Sequence, residues 1–409
     1  MAAKHFYGWR VVAAALVLAV FGWGFGFYGP PFFLHAVRES RGWPVALVSA
    51  AVTLHFLFGA FVVANLPAIH RRHGIARVTQ AAAVSLALGT LGWASAVAPW
   101  QIFGAALLSG AGWAAMSSAA LNAIVAPWFV RQRPMALSMA YNGASVGGIV
   151  MSPLWAFAIA SIGFPAAALA IGAVMLATVW LLATRIFAHT PQSMGLAPDG
   201  DPPGVTASSA GAEARALPGA LLWRDRRFRT LAAGMALGLF AQLGLVTHLY
   251  ALLVPALGAR GAGLAMGLAT IAAILARSFV GWVMTPATDR RLVACVCYAV
   301  QIAGLAALLA AGNRDVSLML AGIVLFGSGI GNATSLPPLI AQSEFARDEV
   351  ARVVSLIVAI AQSAYAFAPA AFGLILAAAP YAGGTPLYFG AAALIQGLAI
   401  VALLAGRRR

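Results

Sequence analysis

Twelve long apolar segments run through this 409-residue chain, and each is about as long as a helix that crosses a lipid bilayer. A bilayer-spanning helix needs about 20 mainly apolar residues, whereas the strands of a membrane barrel alternate apolar and polar residues over about 10 positions. The segments show no such alternation, so they predict an all-α membrane protein with twelve transmembrane helices, numbered spans 1 to 12 in chain order. The predicted spans cover residues 9–34, 45–68, 78–98, 100–126, 134–160, 164–185, 229–254, 261–284, 292–311, 316–341, 350–378 and 386–405.

The composition argues against a water-soluble fold. Charged residues make up 9% of the chain and hydrophobic residues 62%, whereas a soluble domain is about 25% charged. The net charge of +15 would suggest nucleic acid as the partner of a soluble protein. In a membrane protein, basic residues instead set the orientation. We therefore expect membrane lipid around the chain and no nucleic-acid partner.

The basic residues predict how the chain is oriented. With the N-terminus placed in the cytoplasm, 20 of the 25 Lys and Arg residues lie at the inner side. Four lie outside, namely Arg38, Arg41, Arg260 and Arg314. Because cytoplasmic loops are enriched in basic residues, the distribution predicts a multi-pass protein of the cell inner membrane with both termini in the cytoplasm.

A polar stretch at 187–228 divides the spans six and six. It contains Pro191, Pro198, Pro202 and Pro203 together with several Gly, Ser and Ala residues, a composition that is typical of a linker. The predicted organisation is an N-terminal six-helix half at 1–186, a cytoplasmic linker at 187–228 and a C-terminal six-helix half at 229–409.

The two halves share short patterns at nearly constant spacing, which predicts a duplicated six-helix unit. Trp128-Phe129-Val130-Arg131 precedes span 5, as Glu344-Phe345-Ala346-Arg347 precedes span 11. A proline follows each Phe after 24 residues, and a Gly-x-Gly pair comes before it. The matching positions are Pro153 and Pro369, and Gly110-x-Gly112 and Gly327-x-Gly329. Two pseudo-symmetric six-helix halves are the plan of transporters of the major facilitator type.

The layout resembles the major facilitator superfamily over essentially the whole chain. Four segments are similar to its monocarboxylate transporter and oxalate/formate antiporter branch. They are Tyr7-Gly8-Trp9-Arg10-Val11-Val12, the run from Trp128 to Ala136 with Gly143, Gly147 and Gly148, Ala276-Arg277-Ser278-Phe279-Val280-Gly281, and the pair His248 and Arg277. The resemblance implies the major facilitator fold and the transport of a small organic anion.

The chain departs from the family pattern at several positions. In the loop between spans 2 and 3, Arg71 stands where the superfamily has Asp. Ala273 stands where mammalian-type monocarboxylate carriers have an Asp, and span 1 lacks their interior Lys. Where oxalate-type carriers place a Lys in span 11, this chain offers Gln362, Ser363 and Tyr365.

Arg277 is the basic residue that falls inside an apolar segment, in the inner half of span 8. A cation there costs roughly 2.5–3.5 kcal/mol on insertion scales, and all ten acidic residues fall in loops or at helix ends. A guanidinium beside a cavity can hold a carboxylate bidentately. Alternatively, the long side chain reaches the membrane interface. Position alone leaves both interpretations open, and the family resemblance favours the binding of a substrate anion.

Five further polar residues are candidates for the site. His248 in span 7 could hydrogen-bond substrate or carry a coupled proton, because imidazole titrates near neutral pH. His55 in span 2 is the second candidate for proton coupling. Tyr28, Asn332 and Tyr365, in spans 1, 10 and 11, are predicted to contact substrate. All five could instead bridge neighbouring helices, as polar side chains in membranes do.

The sequence predicts a transporter and not an enzyme. It has no Gly-x-x-x-x-Gly-Lys-Ser/Thr loop for ATP and no nucleophile–base pair. Cys295 and Cys297 are two apart and fall on different helix faces, so we expect no catalytic residue, metal or cofactor.

The predicted function is secondary active transport of a small organic anion. A monocarboxylate is expected because a single buried cation would leave the second charge of a dicarboxylate unmatched. Protons or a counter-anion are the expected coupling partners, and a monomer is the expected functional form. Two alternatives are an efflux carrier for apolar or amphiphilic compounds and a non-transporting membrane sensor or scaffold.

Overall fold

The computed structural model describes residues 6–201, 219–285, 287–312, 314–378 and 384–407, and throughout these ranges its regular structure is helical. Residues 202–218 of the predicted linker lie outside the described residues. So do four of the basic residues used to predict orientation, Lys4, Arg215, Arg408 and Arg409. The chain forms two compact units, Met1–Ala210 and Gly211–Arg409.

The first unit contains eight α-helices. They are α1 Tyr7–Gly26, α2 Gly29–Arg41, α3 Val45–His73, α4 Ile75–Ser95, α5 Pro99–Ala114, α6 Ser118–Val125, α7 Arg133–Ile162 and α8 Phe164–Leu182. A short 3₁₀ turn follows α6, and one π-helical turn, Ala183–Phe187, extends α8.

The described residues of the second unit also form eight α-helices. They are α9 Leu221–Arg224, α10 Arg226–Val283, α11 Arg290–Ala311, α12 Val316–Ile330, α13 Asn332–Glu344, α14 Arg347–Tyr365, α15 Ala368–Ala378 and α16 Gly384–Ala405. The long α10 is two spans joined at Gly258, whose φ of 67° lies in the left-handed region that favours glycine.

Among the described residues, twelve helical stretches are long and apolar enough to cross a membrane, which confirms the predicted number and helical class of the spans. They are Tyr7–Arg41, Ala46–His73, Ile75–Ser95, Pro99–Trp128, Arg133–Ile162, Phe164–Phe187, Arg226–Gly258, Gly261–Val283, Arg290–Ala311, Val316–Glu344, Arg347–Leu376 and Pro386–Ala405. Most of them extend beyond the predicted bounds. Span 1, for example, continues from residue 34 to Arg41 because α2 carries a polar end that hydropathy does not detect.

Four of these spans consist of two helices separated by a break. Span 1 breaks at residues 27–28, span 4 at 115–117, span 10 at Gly331 and span 11 at 366–367. Spans 4 and 10 occupy corresponding positions in the two units. Discontinuous helices at corresponding positions are the best structural pointer to a transporter's binding site.

The predicted duplication appears in the packing inside each unit. Side chains at Gly110 and Gly327 would collide with the backbone of His55 and of Ala269, so spans 2 and 4 approach each other as closely as spans 8 and 10 do. Gly112 and Gly329 meet spans 3 and 9 in the same way, at Leu86 and at Gln301 respectively. The glycines that recur in the sequence therefore mark equivalent helix contacts.

Candidate functional site

Arg277 lies against the break in span 10. Its Nε donates a hydrogen bond to the carbonyl oxygen of Gly331, at 2.8 Å. A side chain at position 331 would meet the Ala273 carbonyl and the guanidinium of Arg277, so glycine is what lets span 8 approach the break this closely. The guanidinium is therefore held where α12 ends and α13 begins.

The Arg277 side chain is buried. The residue is 3% exposed, although the sequence left open that its side chain reaches the membrane interface. A buried guanidinium keeps its charge, so the break in span 10 carries a fixed positive charge inside the second unit.

Asn332 is the first residue of α13, directly after the break. It is 1% exposed and lines a small cavity within the second unit. Cys297 of span 9 lines the same cavity. The structure thus brings two of the predicted site residues, Arg277 and Asn332, to the same break.

His248 bonds to span 11. Its Nε2 lies 3.0 Å from the carbonyl oxygen of Pro369, and its ring meets the ring of Tyr388 edge-on, with centroids 6.2 Å apart. Tyr388 in turn donates to the carbonyl of Leu245 at 2.7 Å. His248 is half-buried, so it links spans 7 and 11 while keeping part of its surface accessible.

The two predicted tyrosines lie in different units. Tyr365 ends α14 at the break in span 11 and is buried. Tyr28 lies at the break in span 1 and is half-buried. Its ring packs where a side chain at Gly148 of span 5 would stand.

His55 is part of the packing at the break in span 1. Pro30 has no N–H group, so the carbonyl of Gly26 lacks its helical donor. His55 Nε2 lies 2.9 Å from this oxygen, and Nδ1 lies 2.8 Å from Ser109 Oγ. The residue is 1% exposed. Both ring nitrogens therefore have partners, an arrangement that fits a neutral imidazole protonated at Nε2.

A buried ion pair that the sequence did not single out ties four spans together. Arg291 of span 9 meets Glu344 of span 10 through two contacts, Nε to Oε1 at 2.6 Å and Nη2 to Oε2 at 2.8 Å. It also donates to Thr230 Oγ1 and to the carbonyls of Arg227 and Leu403. The Arg291 side chain is 1% exposed. In the sequence these residues look like ordinary charges at span ends.

The beginning of the predicted linker folds against the first unit. The Asp199 carboxylate accepts hydrogen bonds from the backbone N–H groups of Val130, Arg131 and Gln132, at 3.0, 2.9 and 3.2 Å. Asp201 pairs with the Arg131 side chain at 2.7 Å, and this hydrogen bond and the negative charge raise the pKa of Arg131. Residues 198–201, called the strap, are therefore anchored to the loop between spans 4 and 5.

No three His, Cys, Asp or Glu side chains come together to hold a metal ion within the described ranges. Cys295 and Cys297 are not joined to each other by a disulfide.

Comparison with known proteins places this geometry in a family. The family described as Major Facilitator Superfamily matches residues 14–369. A matching solved structure is the crystal structure of the human organic anion transporter MFSD10 (TETRAN), with a TM-score of 0.67 and 15% identity over 96% of this chain and 98% of that chain. At this identity the likeness shows the fold alone. No curated protein matches the chain.

Proposed function

Because this chain belongs to the Major Facilitator Superfamily, and is therefore a membrane transporter and not an enzyme, we propose that its substrate is a small organic anion. A monocarboxylate is the proposed class. The observation that carries the proposal is the buried guanidinium of Arg277 at the break in span 10.

Three features of this break suit an anion. Arg277 supplies a positive charge with a planar fork that matches a carboxylate. The hydrogen bond from Nε to Gly331 fixes the plane of that fork, so little side-chain entropy is lost when the anion binds. Asn332, the first residue of α13, adds a side-chain amide that is proposed to contact the same anion.

The charge count supports a single carboxylate. All ten acidic residues lie in loops or at helix ends, and Arg277 is the basic residue within an apolar segment. A monocarboxylate would neutralise one cation, whereas a dicarboxylate would bring an unmatched charge into a medium where charges are costly.

The proposed mechanism is alternating access, in which the two six-helix halves move against each other. His248 is the proposed proton site. It is half-buried, and its Nε2 bonds to span 11 through a single carbonyl contact. His55 is a weaker candidate because both of its ring nitrogens are engaged. Exchange against a counter-anion would need neither histidine. Tyr28, Tyr365 and Asn332 are proposed as further substrate contacts, and a monomer as the functional form.

Substitution of Arg277 tests the substrate class. Arg277→Lys keeps the charge and loses the fork. Since hydrogen bonds to charged groups contribute about 1.5–3 kcal/mol, affinity for a carboxylate should fall by about ten- to a hundred-fold. Arg277→Gln should abolish anion uptake. Uptake of radiolabelled monocarboxylates is measured in proteoliposomes with matched amounts of protein.

The matched control is Arg314→Gln, which removes one Arg from an exposed loop. It should leave uptake unchanged. If Arg277→Gln takes up the anion at the wild-type rate, the anion assignment is wrong, and efflux of apolar or amphiphilic compounds becomes the function to test.

His248→Gln tests the coupling. If His248 carries the proton, the variant should lose accumulation driven by a pH gradient and keep counterflow exchange. Equal loss of both would place His248 in substrate binding or in packing against span 11. Unchanged accumulation would remove it from the coupling mechanism.

A further inference from the structure

Three glutamines from three different spans converge in the apolar interior of the second unit. Gln301 of span 9 is fully buried, and its Oε1 accepts hydrogen bonds from Gln396 Nε2 of span 12 at 3.0 Å and from Gln242 Nε2 of span 7 at 3.4 Å. With Oε1 facing these two donors, Nε2 of the same amide points away from them. Its Nε2 must therefore find an acceptor elsewhere.

Nε2 of Gln301 has no hydrogen-bond partner among the described residues, and neither has Oδ1 of Asn332. Gln396 Oε1 of span 12 also lacks a partner among the described residues. One buried donor and two buried acceptors are thus left over on spans 9, 10 and 12. Native structures rarely leave several buried polar groups without partners in one place.

Gln301 and Asn332 line the same cavity, together with Cys297, Gly329 and Pro337. Its volume is about 10 Å³, which is close to the smallest space that holds one water molecule. It is too small for an organic substrate. The equivalent helix contact in the first unit has Leu86 in place of Gln301.

We infer that one water molecule occupies this cavity, where it accepts a hydrogen bond from Gln301 Nε2 and donates one to Asn332 Oδ1. It links the glutamine cluster to the first residue of α13. The break in span 10 is then held from two sides, by Arg277 of span 8 at Gly331 and by the water and span 9 at Asn332.

A structure of the wild-type protein at a resolution that shows ordered waters tests the site directly. The expected result is density for one water within hydrogen-bond distance of both Gln301 Nε2 and Asn332 Oδ1. An empty cavity, or a direct hydrogen bond between the two amides, would overturn the inference.

A double-mutant cycle tests the link in solution. Gln301→Met and Asn332→Leu roughly conserve volume, and each should lower the apparent melting temperature. Gln301→Met should lower it more, because it also leaves Gln396 Nε2 and Gln242 Nε2 without an acceptor. Since either change removes the same bridge, the melting temperature of the double variant should fall by clearly less than the sum of the two single shifts. Additive shifts would show that no bridge connects the two side chains.

Tyr388→Phe combined with Asn332→Leu is the control cycle. Tyr388 lies 15 residues along α16 from Leu403 at the cavity, or about 22 Å at 1.5 Å per residue, so these two changes should be additive. If Gln301→Met does not fold, the wild-type density still decides the question.

Discussion

Breaking the ion pair between Arg291 and Glu344 should lower the free energy of unfolding of the second unit by an unusually large amount. The Arg291 side chain is 1% exposed and that of Glu344 is 15% exposed, and the two meet in a bidentate geometry. Removing one partner of a buried pair costs about 3–5 kcal/mol because the remaining charge stays buried. For a unit of about 200 residues, 1 kcal/mol shifts the melting temperature by about 2–4 °C. Glu344→Gln should therefore lower it by about 6–20 °C.

The assay is thermal unfolding of the purified protein in detergent, with Arg407→Gln as the matched control. Arg407 pairs with Asp289, and both side chains are more than a third exposed. Exposed pairs contribute about 0–1 kcal/mol, so this control should shift the melting temperature by less than about 4 °C.

The double variant Arg291→Leu/Glu344→Leu separates the cost of an unpaired charge from the value of the pair. Because it leaves no unpaired charge of the two, it should be more stable than Glu344→Gln. The reasoning would be refuted if Glu344→Gln had the same melting temperature as the Arg407→Gln control. It would also be refuted if the double variant were the least stable of all.

Three further predictions concern His55, the strap and the membrane topology. His55→Gln keeps an N–H donor for Gly26 and should retain uphill transport. His55→Phe removes that donor and should lower the free energy of unfolding by about 1–3 kcal/mol. Loss of proton coupling in His55→Gln would instead make His55 a proton site. Asp199→Ala should speed amide hydrogen exchange at 130–132 at least about tenfold, and Asp201→Asn should not; equal protection in both variants would show that the strap does not anchor this loop. Reporter fusions in the 202–218 segment and after residue 409 should both report the cytoplasm, and an external signal at either site would overturn the predicted topology.

The helix breaks show which features of the site can be predicted from the sequence. The Gly-x-Gly pairs correctly marked spans 4 and 10 as equivalent, because close helix contact excludes a side chain wherever it occurs. Pro30 also signals that the Gly26 carbonyl lacks a donor. No local pattern, however, identifies His55, 29 residues away, as the group that supplies it.

Charges at span ends show what the sequence does not predict. Arg291 and Arg407 look alike in the sequence, yet one is buried with five hydrogen-bond contacts and the other forms an exposed pair. Asp199 sits in a stretch whose composition predicts a linker, and its three bonds to the loop at 130–132 come from residues 67–69 positions away.

The sequence by itself determined the number of spans, the duplication and the presence of a cation within the membrane, because length, hydropathy and spacing are properties of each segment alone. The tertiary structure decided which carbonyl Arg277 holds, which span His248 joins and which amides surround the cavity beside Asn332. Those choices depend on the rotation of each helix and on its neighbours. Both are set when apolar faces pack and every buried polar group must find a partner, far along the chain from its own position.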